Sequence, residues 1–237
     1  MQYIDRHMNK PDYLEYEDRL KSLLLEFRQI LPIGGAMGHT DLIKHKIILK
    51  PDAKPKHMPC YRIPKARRQA ASDAIDDLVK KGVVSENTTG SDYSWPIILI
   101  PKAKKSNKPD EPTRYRLVTD MRGLNEMTLS DPYPISSIKD IMTDIKPGLD
   151  FLSSIDFESG FFQIELDEEA RKYCSFVNDR KLWSYNRMVQ GLKNAPATFH
   201  RLVTRVFQGL DKDVVTNFMD DLFTGAKDVE THFENLR

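Results

Sequence analysis

Only two of the 237 residues are cysteine, Cys60 and Cys174. Neither stands in metal-ligand spacing, so no disulfide framework and no cysteine-based metal site organises this chain. Long apolar runs are missing too: the longest is Ile97 to Ile100, bounded by Pro96 and Pro101, far below the roughly 20 residues of a membrane span. Met1 to Lys10 mixes Asp5, Arg6 and His7 with apolar residues and lacks the hydrophobic stretch of a secretory signal. No repeat or low-complexity tract occurs. These absences predict a reducing, intracellular protein with no membrane partner. What is present is a soluble balance of 40% hydrophobic and 30% charged residues, at a length that suits one large domain with an inserted lobe.

Net charge is only +1, but the charges are segregated. From Pro101 to Arg116, Lys102, Lys104, Lys105, Lys108, Arg114 and Arg116 face only Asp110 and Glu111. From Asp150 to Glu169 there are seven carboxylates, among them Asp156, Glu158 and Glu165, and no Lys or Arg. A basic arm beside an acidic centre suits phosphates at one place and cations at another. Ordinary solvated faces also produce such runs.

The spacing of Leu20, Leu23, Leu24, Phe27 and Leu31 predicts an amphipathic helix over Tyr13 to Ile30. His45 to Lys50 reads as a short strand, and Pro51 to Pro64 as an extended connection. Pro64 opens a helix carrying Ala71, Ala74, Ile75, Leu78 and Val79 and closing at Gly82. Trp95 to Lys102 and Arg114 to Met121 read as a hairpin with a long tip, Ser136 to Ile145 as a helix, and Phe151 to Phe157 as a buried strand. Tyr173 to Val177 pairs with Lys181 to Met188 through Asn178 and Asp179. Asn194 caps a helix running to Gly209 with Phe199, Leu202, Val203, Val206 and Phe207 on one stripe. The last hairpin runs from Val214 to Thr224.

Three segments carry chemistry. In Phe218-Met219-Asp220-Asp221-Leu222-Phe223 two adjacent carboxylates interrupt an apolar, strand-forming run, and at a tight turn they present oxygen ligands of the kind Mg²⁺ prefers. Asp-Asp pairs also occur in solvated turns, and Asp76-Asp77 is read as the polar face of a helix. In Phe151-Leu152-Ser153-Ser154-Ile155-Asp156 a strand ends on a carboxylate that either joins a metal pair or caps a following helix. Gln190-Gly191-Leu192-Lys193-Asn194-Ala195-Pro196 is a glycine turn entering a helix, where small residues let backbone approach a ligand.

In order and context these segments resemble the reverse transcriptases of gypsy-type LTR retrotransposons. Ile155 to Ile164 resembles the first polymerase motif, Gly191 to Phe199 the second, and Phe218-Met219-Asp220-Asp221 the Y/F-x-D-D box. Arg114 to Asn125 and Tyr133-Pro134-Ile135 resemble the fingers segment. The likeness runs from about Ile43 to the end, with Phe218 where Tyr is commoner and Val189-Gln190 where Pro-Phe is usual.

The resemblance implies an α+β fold, a right-hand palm of antiparallel strands and helices plus fingers. An N-terminal helical extension occupies 1–40, fingers 41–129 and 164–194, palm 130–163 and 195–237; the thumb and RNase H portions of a longer pol polyprotein are expected beyond Arg237. It implies RNA-directed DNA synthesis, with Asp156, Asp220 and Asp221 as the catalytic set. Two Mg²⁺ ions, or Mn²⁺ in their place, would be held by Asp156, Phe157, Asp220 and Asp221. Lys102, Arg116, Phe157, Glu158, Phe161 and Gln190 would contact the dNTP. Lys102 and Arg116 grip the triphosphate, Phe157 and Glu158 lend main-chain N–H groups beside it, and Phe161 lies beneath the sugar and excludes a 2′-hydroxyl. Gln190 meets nucleotide and template. The implied partners are dNTPs and an RNA or DNA template with primer, in the cytoplasm or retroelement particles, with the nucleus also open. Two alternatives stand beside this: a catalytically incomplete nucleic-acid-binding remnant of a retroelement, and a viral RNA-directed RNA polymerase. Phe161 argues against the second, because such an enzyme must admit the ribose 2′-hydroxyl.

Overall fold

The apolar spacing that begins at Leu20 becomes helix α1 (Tyr13–Glu26), followed by a 3-10 turn at Arg28–Ile30. A computed structural model describes residues 13–31, 37–102, 113–135, 139, 148–211 and 214–237. The chain continues through β1 (Thr40–His45), β2 (Lys56–His57), α2 (Arg68–Lys80), β3 (Val84–Glu86), β4 (Tyr93–Ser94), β5 (Ile97–Pro101), β6 (Tyr115–Thr119) and α3 (Arg122–Met127). Next come β7 (Phe151–Asp156), β8 (Ile164–Leu166), α4 (Glu168–Tyr173), β9 (Ser175–Asn178), β10 (Lys181–Tyr185) and α5 (Ala195–Val206). A hairpin of β11 (Thr216–Phe218) and β12 (Asp221–Ala226) leads into α6 (Val229–Leu236). The N-terminal twelve residues, the tip of the β5–β6 hairpin and most of the helix expected over Ser136 to Ile145 lie outside the described residues. No described helix is long and apolar enough to cross a membrane.

Among the described residues the strands form two antiparallel three-stranded sheets, β11-β12-β7 and β3-β10-β9, and three pairs. The expected β5–β6 hairpin is present and antiparallel, whereas β1–β8 and β2–β4 pair in parallel. Trp95, Phe176, Phe199, Ile75, Ile97, Leu124 and Met188 are among the fully buried side chains. They form one core joining α2, α3, α5 and the β3-β10-β9 sheet. Helix α2 ends as its sequence requires. Gly82 takes φ +68, its N–H donates to Val79 O, and the Val83 N–H donates to Leu78 O, which together make a Schellman close.

Several expectations need correction. The first strand is β1, not His45 to Lys50: Thr40, Lys44 and His45 find ladder partners on β8, while Leu49 makes only an isolated bridge to Thr128. The two-residue turn between β9 and β10 is Asp179-Arg180, both with positive φ, because Asn178 already pairs with Lys181. Asn194 precedes α5 without capping it. Its amide instead donates to Leu129 O and accepts the Asp131 N–H. Val206, expected on the apolar stripe of α5, is exposed at the end of that helix. Strand β7 is not buried, with Leu152 62% and Ile155 38% exposed. It edges a sheet that α6 backs on one face, through Ser153 Oγ to His232 Nε2 at 2.8 Å and the Phe151 ring beside His232. Helix α1 lies against α6. Arg19 pairs bidentately with Glu230 at 2.7 Å and covers the Phe233 ring at 4.4 Å, and Arg237 reaches Glu26.

One buried polar contact ties β1 to α5: His45 Nδ1 meets Thr198 Oγ1 at 2.8 Å. Burial pushes this imidazole from its ordinary 6.5 to about 4, Asp131 opposing and Arg201 reinforcing the shift. As pH falls from 6.5 to about 4, the unfolded imidazole therefore gains a proton that the folded one refuses, and stability drops. The expected loss over that window is up to roughly 3 kcal/mol. Chemical denaturation across the window checks it, and His45→Gln should flatten that part of the pH dependence.

Candidate active site

Strand β12 lies between β11 and β7. The register sets Phe218 opposite Asp221 in the hairpin and Asp221 opposite Asp156 in the next ladder. Met219 and Asp220 are therefore the two turn residues, and Asp221 already belongs to a strand. Met219 takes φ 52, a conformation for which such turns ordinarily recruit glycine and which costs a side chain about 1 kcal/mol. The Asp220 carbonyl accepts the Phe157 N–H at 3.1 Å, fastening the turn to the chain just past Asp156. That bond engages the Phe157 N–H, one of the two main-chain donors expected beside a triphosphate, the other being that of Glu158.

Like charges directly opposed across a ladder destabilise it. Here sheet pairing prevents Asp156 and Asp221 from separating. The Asp156 carboxyl is accordingly held above the usual carboxylate range, first by desolvation and then by Asp220, Asp221 and Glu158. Among the described residues no three His, Cys, Asp or Glu side chains converge into a metal cage.

Asp156 and Asp220 open onto a cleft of about 360 Å³. Lys102, Arg116, Phe157, Glu158, Phe161 and Gln190 also line it, so the structure brings eight of the nine candidate residues to one cavity. Asp221, the ladder partner of Asp156, is the one candidate that does not line this cleft. Lys102 is held at the end of β5 by its own N–H donating to Arg114 O at 2.8 Å, and Arg116 sits opposite Ile100. Lys102 and Arg116 of the basic segment and Asp156 and Glu158 of the acidic one thus line the same cleft.

Phe161 is set by aromatic packing. Its ring stacks on Phe199 at 5.2 Å and 19°, while Phe157 meets Phe199 edge-on at 5.6 Å. Gly160 makes the approach possible, since a Cβ there would stand 2.9 Å from Phe199 Cε2. Ser159, just before it, takes φ 52. Two of the described non-glycine residues with positive φ therefore sit at this site, where stored backbone strain commonly marks function.

Three contributors escaped the sequence reading. Phe199, legible as helix stripe and as the end of the second motif but not as a partner of Phe161, is the platform for that ring. Asp77 and Lys81, paired at 2.7 Å, line the cleft mouth from α2, although Asp77 was read as a polar helix face. Nothing local distinguishes them, because the wall they join is assembled from strands far away in sequence.

Residues 100–237 match the family model described as "Reverse transcriptase (RNA-dependent DNA polymerase)". The chain is 31% identical over 208 residues, 87% of its length, to the retrovirus-related Pol polyprotein from transposon 412 of Drosophila melanogaster. It is 29% identical over 231 residues, 95% of its length, to that from transposon 297 of the same organism. It spans 16% and 21% of those two polyproteins. The foamy viral protease-reverse transcriptase in complex with RNA/DNA hybrid superposes with TM-score 0.78 at 22% identity, covering 99% of this chain and 32% of that one. This match shows a shared fold of mixed helices and sheets. On the family match and on its likeness to the Pol polyproteins of transposons 412, 297, opus and gypsy, the chain belongs to the reverse transcriptase family, in the branch of gypsy-type LTR retrotransposons.

Proposed function

We propose that this chain performs RNA-directed DNA synthesis by two-metal nucleotidyl transfer from a dNTP to a primer 3′-hydroxyl on an RNA or DNA template. One observation carries the proposal: Asp156 and Asp220 share a single cleft with Lys102 and Arg116. The oxygen donors fit Mg²⁺, which is commonly held by one or two carboxylates plus substrate phosphates rather than by an all-protein cage. The raised Asp156 also favours a bound cation, since neighbouring carboxylates are part of what raises it. Asp156 and Asp220 would hold the ions, with the Phe157 main chain and Asp221 beside them. When bound, the ions would activate the attacking hydroxyl and neutralise charge on the leaving pyrophosphate.

The chain's own side chains would do the rest. The Lys102 ammonium and the planar Arg116 guanidinium attract and orient the triphosphate. Phe161, braced by Phe199, occupies the space beneath the sugar where a 2′-hydroxyl would stand. Gln190 approaches nucleotide and template from the turn before α5. In this proposal 41–129 and 164–194 act as fingers over a palm formed by 130–163 and 195–237. The foamy viral protein's complex with RNA/DNA hybrid supports a primer-template as the macromolecular partner.

Two outcomes test the assignment. In the protein that carries this chain, Asp156→Asn or Asp220→Asn should lower kcat in primer extension by about 10²-fold or more. The Tm should not fall in Asp156→Asn, because the substitution relieves repulsion; near-normal extension by either variant overturns the metal-binding assignment. Phe161→Val should raise the ratio of rNTP to dNTP incorporation by roughly tenfold. An unchanged ratio in single-nucleotide extension makes Phe161 a packing residue.

A further inference from the structure

Gln190 sits exposed on a turn whose next residue, Gly191, has φ +93, and neither residue belongs to a helix or strand. The turn is held by a side chain from α3. Asn125 Nδ2 donates to Gly191 O at 2.7 Å, and Asn125 Oδ1 accepts the Lys193 N–H at 2.8 Å. Both polar ends of one amide are thus spent on backbone either side of Leu192, which is itself buried. Further contacts fasten the segment beyond the turn: Lys193 Nζ to Thr128 O at 3.0 Å and Asn194 Nδ2 to Leu129 O at 2.8 Å. Asn125 alone among these reaches Gly191.

Helix α3 is itself rigidly placed. Leu124 is fully buried, and Gly123 lies so close to Trp95 that a Cβ would meet Cζ3 at 2.5 Å. Asn125 is not among the residues lining the cleft, so it acts only through what it holds. An amide that matches one acceptor and one donor on a short turn fixes both the turn's height and its rotation. Any error there is delivered directly to the neighbouring side chain.

We infer that Asn125 is a positioning residue for Gln190, locking the Gln190-Gly191 turn against the cleft so that the Gln190 side chain meets the incoming nucleotide in one orientation. This rests on the nucleotide contact proposed for Gln190. The chemistry also singles out Asn at position 125. Asp would keep the acceptor for the Lys193 N–H but set a second oxygen against the Gly191 carbonyl. Ala would supply neither bond.

The experiment compares Asn125→Ala, Asn125→Asp, Gln190→Ala and the Asn125→Ala/Gln190→Ala double variant in the protein that carries this chain. Single-nucleotide primer extension gives KM for the dNTP and kcat, and thermal melting reports the fold. Both Asn125 variants should raise KM by about five- to tenfold with kcat and Tm close to the unsubstituted protein. The double variant should be no worse than Gln190→Ala alone, since a missing side chain cannot be misplaced. If Gln190→Ala raises KM but both Asn125 variants keep it unchanged, the positioning role is wrong while the Gln190 contact stands. Additive effects in the double variant, or losses of kcat and Tm together with KM, also overturn it, because Asn125 would then act by another route or as simple fold support. An unchanged KM in Gln190→Ala overturns the nucleotide contact and the inference with it.

Discussion

The Asp156–Asp221 opposition is the constraint around which the rest of this molecule is arranged. Two carboxylates facing each other on adjacent strands repel, and left to itself a ladder would slip or fray to part them. A one-residue slip would turn every side chain of β7 to the other face and bring Leu152 and Ser154 against α6 in place of Phe151 and Ser153. The hairpin prevents this. Its turn closes on Met219 and Asp220, the Phe157 N–H fastens that turn to the neighbouring strand, and α6 packs on the covered face of the sheet. The strain at Met219 and Ser159 lies within a few residues of the carboxylates, and each such position costs about 1 to 3 kcal/mol. A core built on Trp95, Phe176 and Phe199 offsets such costs at a distance.

The cleft beside this acidic edge is also lined by basic residues from a different part of the chain. Lys102 follows β5 and Arg116 lies on β6, whose pairing is local, whereas their place in the same cleft as Asp156 depends on contacts between remote segments. The Trp95 N–H donates to Ser175 O, and its indole N–H donates to Tyr173 O at 2.6 Å. The basic hairpin is thereby anchored to the β3-β10-β9 sheet. Among the described residues no ion pair joins Lys102 or Arg116 to Asp156, Glu158 or Asp220, which leaves both sets of charges available to a ligand.

Legibility in the sequence followed the range of the interaction. The close of α2 at Gly82 and the β5–β6 hairpin are local and were readable from a few residues. So were the carboxylates of the last hairpin, because charge inside a strand-forming run demands a reason. The parallel pairing of β1 with β8 joins residues more than a hundred positions apart, and no pattern near His45 announces it. Strand β7 was misjudged because alternation shows that a strand exists, not how many of its faces are covered. Asn194 was misjudged for a related reason: a residue type suited to capping a helix is equally suited to bridging two loops, and the nearby Leu129 and Asp131 backbone decided the matter. Asn125 was visible as part of a motif, but its task depends on a turn that lies more than sixty residues downstream.

The clasp between α1 and α6 bears on the order in which the chain assembles. Its ion pair joins Arg19 to Glu230, 211 positions apart, so the loop-closure entropy it must overcome is among the largest this chain can present. On the ribosome, where N-terminal segments appear first, α1 emerges before every strand and helix of the surface it docks on. That surface does not exist until β7 and β12 have paired and α6 has settled on them. Docking of α1 therefore follows the pairing of β7 with β12, and it covers the back of the sheet whose edge carries the carboxylates only once their register has been fixed.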